Sequence, residues 1–305
     1  MLILPKNYVQ TIKNVHKEKG EEWLNKFQDL IKYCEIKWKL TILDPFELSY
    51  NFVAPAIRDN GQEVVVKLSI PTNAFFSEVE ALQYFAGKDM VSIIDMDINK
   101  GIIILDRLLP GHMLASIEDD ELATKIAATI MDTLWVKETQ STKLPQIEER
   151  EKSLLRFLNN YPEGKGPITT PMLHKATNTF RRLLADGKDR YILHGDLHHY
   201  NILKGEKWTA IDPKGLVGER EYDTIQFLLN KLPESDLEPV LKVRIEILVN
   251  RLELDEKRLL EWGFVHSVLS TCWSLEESND YNIAFYKSIF VFEKLHKDKF
   301  GRLEC

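Results

Sequence analysis

The stretch Tyr191-Ile-Leu-His-Gly-Asp-Leu-His-His-Tyr-Asn-Ile-Leu203 decides how this chain is read. It enters as an apolar run, opens into a polar loop and leaves as a second apolar run, the pattern of two short strands that present loop side chains. The chain goes on through Lys204-Gly-Glu-Lys207, which can turn a hairpin, and returns in Trp208-Thr-Ala-Ile-Asp212. Such a hairpin brings Asn201 and Asp212 to one end.

Within the loop, His194, Asp196 and Asn201 keep the relative spacing of a phosphoryl-transfer loop, in which the Asp accepts a substrate hydroxyl proton and the Asn holds magnesium. Magnesium takes hard oxygen ligands, commonly one or two from protein with phosphate and water completing an octahedron. Asn201 and Asp212 meet that need, and Asp196 is the expected base. His198 and His199 are read as loop architecture, because no Cys/His partner spacing elsewhere supports a transition-metal site.

Phosphoryl transfer also needs a cation on the nucleotide phosphates, and Lys67 supplies one near the end of the apolar strand Glu63-Val-Val-Val-Lys-Leu68. A carboxylate on the following helix would orient it. Glu78 is preferred by its spacing from the inward-facing Phe75 and Leu82, with Glu80 as competitor. Farther on, the strand Ile102-Ile-Ile-Leu-Asp106 passes into a connection whose backbone, around Asp106 to Leu108, is placed to hydrogen-bond a purine.

Around these residues the chain divides in texture. The first forty residues carry a helical stripe of Trp23, Leu24, Phe27, Leu30, Ile31 and Cys34, read as one or two helices. Strands are expected at 41–43, 48–54, 63–68, 91–95 and 101–106, with turns at Asp59-Asn-Gly61 and Asn99-Lys-Gly101. One helix, capped by Asn73 and burying Phe75, Phe76, Val79, Leu82 and Phe85, interrupts them. After Pro110-Gly111 the pattern is helical at 118–138, 146–160, 172–185, 237–252 and from Asp255 to the end, apart from the island that holds the loop.

A chain of 305 residues with 44% hydrophobic residues can bury a large core. A net charge of -7 disfavours nucleic acid and anionic membranes as partners and is compatible with a cationic substrate or simply with solubility. No run approaches a membrane span, and the opening MLILPKNYVQTIKN lacks a signal pattern, so a soluble chain is expected. Cys34, Cys272 and Cys305 are scattered and odd in number, which points to a reducing cytoplasm.

With those residues in place, the sequence resembles the aminoglycoside phosphotransferase superfamily, in particular its branch of streptomycin 6-kinases and hydroxyurea phosphotransferases. The resemblance rests on Ser49 to Ala56, Val66 to Ser69, Ser77 to Leu82, Leu105 to Gly111, the HGDLHxxN loop from His194 to Asn201, and Ile211-Asp-Pro-Lys-Gly-Leu-Val-Gly-Glu219 followed by Tyr222-Asp223. It implies an α+β, protein-kinase-like, two-lobed fold. Residues 1–107 would form the nucleotide lobe, a small antiparallel sheet with one main helix after the leading helices. Residues 108–305 would form a larger, mostly helical lobe with the catalytic loop and acceptor site.

It further implies ATP as donor, Mg2+ as cofactor and a small hydroxylated molecule as acceptor, either an aminoglycoside of streptomycin type or a related antibiotic. Lys67 would bind phosphates, Glu78 orient it, Asp196 act as base, Asn201 and Asp212 bind magnesium, and Asp223 brace the loop. Two departures matter. Ser49 to Ala54 has no glycine where a phosphate-covering loop has several. Asp212-Pro-Lys-Gly215 replaces Asp-Phe-Gly, leaving Lys214 as a free cation that can assist catalysis at the transferred group.

The helical half offers Trp273 with Glu276 and Glu277, either a patch for a guanidinium or amine or ordinary core and solvated faces. A monomer is expected, with a dimer open. Competing readings are a metabolic kinase acting on a sugar or amino-alcohol and an inactive nucleotide-binding regulator. A protein kinase fits less well, since the segment from Asp212 to Tyr222 is short and lacks an Ala-Pro-Glu stop.

Overall fold

The computed structural model describes residues 2–138 and 142–303, so Cys305 lies outside the described residues. Helix α1 (Lys6–Trp38) is two arms joined at Lys17, whose φ of 50° and ψ of -126° leave the helical region. Tyr8, Ile12, Trp23, Phe27, Ile31, Cys34 and Trp38 are its buried residues, and in the second arm they recur at helical spacing. Leu24 and Leu30, expected in the same stripe, lie only half-buried at its margin.

This stripe packs on an antiparallel sheet of β1 (Leu40–Ile42), β2 (Phe52–Arg58), β3 (Glu63–Leu68), β4 (Ile93–Asp97) and β5 (Ile102–Asp106), ordered β1-β2-β3-β5-β4. Side chains alternate faces along a strand. Phe52, Ala54, Val64, Val66, Ile102 and Ile104 join the α1 cluster. Lys67, of opposite parity and paired with Ile103, therefore faces the other side, where Ile103 and Leu105 meet α2 (Asn73–Tyr84).

Three local expectations shift. The second strand begins at Phe52, because Ser49 to Asn51 bends, and it accommodates Pro55 because β1 ends opposite Ala56, one residue short of it. Thr72, not Asn73, is the α2 N-cap, and its side chain makes no capping bond. Phe76 is 44% exposed, since Phe75, Val79 and Leu82 already form the inward stripe and the next position rotates about 100° away.

Beyond the sheet come β6 (His112–Met113), α3 (Asp120–Leu134), β7 (Val136–Lys137), α4 (Glu149–Asn160) and α5 (Thr170–Ala185). The island supplies β8 (Tyr191–Leu193), β9 (Ile202–Lys204), β10 (Trp208–Ala210) and β11 (Leu216–Gly218). These strands form two small sheets, β10-β9-β6 and β11-β8-β7. The chain ends in α6 (Arg220–Asp223), α7 (Ile225–Leu229), α8 (Leu237–Leu252), α9 (Glu256–Ser278) and α10 (Ile283–Phe300). The last two were expected as one helix. They break at Asn279, which takes a left-handed φ of 56°, and Asn282 caps the restart by accepting from the Ala284 and Phe285 N–H groups.

A second, larger apolar cluster runs from α2 and β5 through α3, α5, α8 and α9, so the cleft floor is continuous with the helical core. No helix among the described residues is long and apolar enough to cross a membrane. The turn into β5 depends on Gly101, with φ 70°, where an added Cβ would sit 2.0 Å from the Ser69 carbonyl oxygen. Gly87 has φ 80° but open space. Gly101→Ala should therefore destabilise the chain by at least about 2 kcal/mol, and Gly87→Ala by only the left-handed penalty of about 1–2 kcal/mol. Urea unfolding of the two variants checks the ranking.

Candidate active site

Strand β8 ends at Leu193 and delivers the loop into a buried frame. The Asp223 carboxylate accepts from the His194 N–H at 3.1 Å, the Gly195 N–H at 2.8 Å and the Trp135 indole N–H at 2.9 Å. His194 is fully buried. Its Nδ1 accepts from the Asp196 N–H at 3.2 Å, which leaves Nε2 to donate to the Ile211 carbonyl at 3.0 Å. Burial lowers its pKa against the pull of Asp223 and Asp196, in keeping with that neutral tautomer. The sharp turn uses a left-handed φ of 78° at Gly195.

The β9–β10 hairpin then does what its turn residues suggest. Ala210 pairs with Ile202, and the Ile211 N–H donates to the Asn201 carbonyl at 2.9 Å, so Asp212 follows directly beside Asn201. The Asn201 amide donates to the Asp196 carbonyl at 3.0 Å, which leaves its own amide oxygen without a hydrogen bond among the described residues.

Lys67 is 3% exposed and sits between two carboxylates, 2.5 Å from Glu78 Oε1 and in contact with Asp212. Burial opposes its charge, but Glu78 and Asp212 outweigh burial and raise its pKa. Desolvation at the cavity wall opposes the Asp212 carboxylate, whose side chain is still 52% exposed, and Lys67 more than compensates, holding it below the usual range. Glu80 is engaged elsewhere: it accepts from Thr142 Oγ1 at 2.5 Å and from the Lys143 N–H at 3.1 Å.

Lys67, Glu78, Asp196, Asn201, Asp212 and Lys214 line one cavity of about 750 Å³. A cavity of about 900 Å³ on the outer face of α2 contains none of these six. Asp106 and Leu108 are not in the lining, and the Asp106 N–H is already given to the Ser92 carbonyl at 3.0 Å. A purine contact at that connection is left with the Asp106 carbonyl and the Leu108 backbone. Lys214, expected free, pairs with Asp196 at 2.9 Å while remaining 61% exposed in its side chain.

His199 stacks on Phe227 at 4.1 Å and bonds Asn230 through Nδ1 at 2.9 Å, and His198 Nδ1 accepts from the Tyr200 N–H at 3.2 Å. Both are thus engaged in shaping the loop. The aromatic-acid patch is also taken: the Arg150 guanidinium lies 5.0 Å from the Trp273 ring centre, and Arg156 pairs with Glu276 at 2.7 Å. Arg150 itself lines the catalytic cavity. Sequence reasoning missed it inside Glu148-Glu-Arg-Glu151, whose charges read only as a helix start.

Burial holds both His199 and His266 at a pKa of about 3. An unfolded chain protonates them near 6.5, so between about 6.5 and 3 the unfolded state binds more protons and stability falls as pH falls. Each contributes up to about 1.4 kcal/mol per pH unit in that window. Thermal unfolding between pH 7 and 5 should show the loss, and His266→Gln should flatten its slope.

A small antiparallel sheet with a lysine–glutamate pair, set over a helical lobe with an Asp-Asn loop and a returning Asp, defines a protein-kinase-like phosphotransferase. Within that class, the profile of the aminoglycoside/hydroxyurea antibiotic resistance kinases matches residues 44–278, and the chain belongs to that family. Streptomycin 6-kinase of Streptomyces glaucescens is 26% identical over 274 residues, covering 86% of this chain and 87% of the relative. Hydroxyurea phosphotransferase of Kitasatospora aureofaciens is 27% identical over 250 residues, covering 79% of this chain and 71% of the relative. Among solved structures, choline kinase LicA from Streptococcus pneumoniae superposes with a TM-score of 0.64 at 15% identity, covering 90% of this chain and 99% of that one. A further LicA structure is a complex with AMP.

Proposed function

We propose that this phosphotransferase moves the γ-phosphoryl group of ATP to a hydroxyl of a small molecule, with an aminoglycoside of streptomycin type or a related antibiotic as acceptor. The observation that carries the reading is the opening of Asp196, Asn201, Asp212 and Lys67 onto one cavity. The streptomycin and hydroxyurea relatives support the acceptor class. On this reading residues 1–107 form the nucleotide lobe and residues 108–305 carry the catalytic loop and the acceptor site.

In the proposed reaction the acceptor oxygen forms a bond to the γ-phosphorus as the bond to the β-phosphate bridging oxygen breaks, and ADP leaves. Asp196 takes the hydroxyl proton. Its backbone is fixed on both sides, by the N–H bond to His194 and the carbonyl bond from Asn201, so its carboxylate is aimed by the loop. Lys67 places a buried cation at the phosphates, with Glu78 keeping it oriented.

The residues present fit magnesium. The amide oxygen of Asn201, left without a hydrogen bond among the described residues, and the carboxylate of Asp212, its pKa held low, are hard oxygen donors in adjacent positions on the hairpin, and sparse protein ligation leaves room for phosphates and water. When bound, the ion would neutralise phosphate charge. Lys214 beside Asp196 is positioned to offset charge on the transferred group.

ADP release measured over a panel of streptomycin, hydroxyurea, choline-like alcohols and sugars, with mass analysis of the products, tests the acceptor. Asp196→Ala should lower kcat by about 10²–10⁴ with little change in thermal stability, because its ion-pair partner Lys214 is 61% exposed and such pairs contribute about 0–1 kcal/mol. Turnover equal to the wild type would refute the base assignment.

A further inference from the structure

The family profile begins at residue 44, so α1 and β1 lie outside it. Yet Val15 and His16 of α1 line the same cavity as Lys67, Asp196 and Asp212. Both belong to the corner where the first arm of α1 ends at Lys17.

The corner is built rather than loose. Tyr8 and Ile12 on the first arm are each 1% exposed and anchor it in the cluster over the sheet. The second arm crosses so closely that a Cβ on Gly20 would lie 2.5 Å from the Ile12 carbonyl oxygen and 3.2 Å from the His16 Cβ. Only glycine admits that crossing without moving backbone. What projects from it is Val15, half exposed although apolar, and the partly buried His16, whose pKa is lowered by burial with no charged or hydrogen-bonding neighbour contributing.

The cover of the cleft lacks its usual part. Kinase folds lay a glycine-rich loop over the phosphates, because glycine lets backbone N–H groups approach closely. Here the covering segment is Ser49-Tyr50-Asn51, a glycine-free bend that lines the cavity together with Val15 and His16. The cations lower in the cavity are already committed: Lys67 to Glu78 and Asp212, Lys214 to Asp196, and Arg150 to the Trp273 ring. On that wall His16 is a ring donor with no hydrogen-bond partner among the described residues.

We propose that the α1 corner forms the roof over the terminal phosphates and that His16 donates a hydrogen bond to a phosphate oxygen there. This rests on the cavity being the ATP site. It makes the N-terminal hairpin part of the nucleotide site rather than packing for the sheet alone. Val15 supplies an apolar lid beside the donor, and Gly20 sets where both stand.

The test is calorimetric binding of two probes to the full chain with magnesium, a non-hydrolysable ATP analogue and AMP. His16→Ala should weaken the ATP analogue about tenfold, the effect of losing one hydrogen bond to a charged group, and leave AMP within about twofold. His16→Gln, which keeps a side-chain N–H, should recover most of the loss. Gly20→Val, which displaces the corner, should reproduce the His16→Ala pattern. If Gly20→Val does not fold, His16→Ala on the protein surface still decides.

Triphosphate binding unchanged in His16→Ala overturns the inference, and so does an equal loss for both probes, which would place the corner elsewhere than the phosphates. A wild-type chain that binds neither nucleotide defeats the ATP reading itself, and this inference with it. That result is distinct from a wild type that binds both and a variant that matches it.

Discussion

A lysine with 3% of its surface exposed cannot stand alone, and Lys67 is held by carboxylates from two other parts of the chain, Glu78 on α2 and Asp212 after the β9–β10 hairpin. An unpaired charge so deeply buried is strongly destabilising, so Lys67 needs at least one of these carboxylates. The sheet, its helix and the catalytic hairpin are thereby tied to one ammonium group. Strand parity puts that group on the cleft side, and the register of β3 with β5 fixes its height. The same triad holds the pKa of Asp212 low, so its carboxylate is kept ionised at the cavity wall.

The second buried carboxylate works on the backbone instead. Asp223 gathers the N–H groups of His194 and Gly195 and the indole of Trp135, all away from solvent. It is set by α6, whose neighbouring Glu219 is bound by Arg258 and by the Trp262 indole from α9. Such a fully satisfied polar network in a low-dielectric interior is rigid. The loop it supports can then expose the Asp196 side chain without losing its aim. Chemistry sits at the margin of the buried frame, and the frame runs back into the helical core.

Much of this was legible because it is local. The loop from His194 to Asn201 and the return to Asp212 lie within one hairpin, and Lys67 is the lysine at the end of the apolar strand from Glu63 to Leu68. Glu78 over Glu80 was readable from helical phase. What escaped the sequence is set by tertiary packing. The two-residue strands β6 and β7 are too short to carry a pattern, and they exist because β8 and β9 offer them edges. Arg150 looked like a helix-start charge because nothing local shows Trp273 arriving from α9. The Asp106 N–H seemed available because its partner, Ser92, belongs to the segment just before β4. Phe76 shows the limit of composition: an aromatic in the right helix, one position off the stripe.

The ion pairs of the site differ in kind, and the difference follows the burial. Lys67 is enclosed and doubly paired, so its position is costly to change. Lys214 pairs with Asp196 from a side chain that is 61% exposed, and exposed pairs contribute about 0–1 kcal/mol. Displacing Lys214 from Asp196 is therefore cheap, whereas displacing Lys67 is not. Under the proposed function, a framework of this form keeps the end that would meet a constant group, the phosphates, fixed in place. The end that must admit a hydroxyl stays adjustable. On that proposal, the asymmetry would let a site of this form hold its phosphates in one place while the acceptor side adjusts to hydroxyls of different shape.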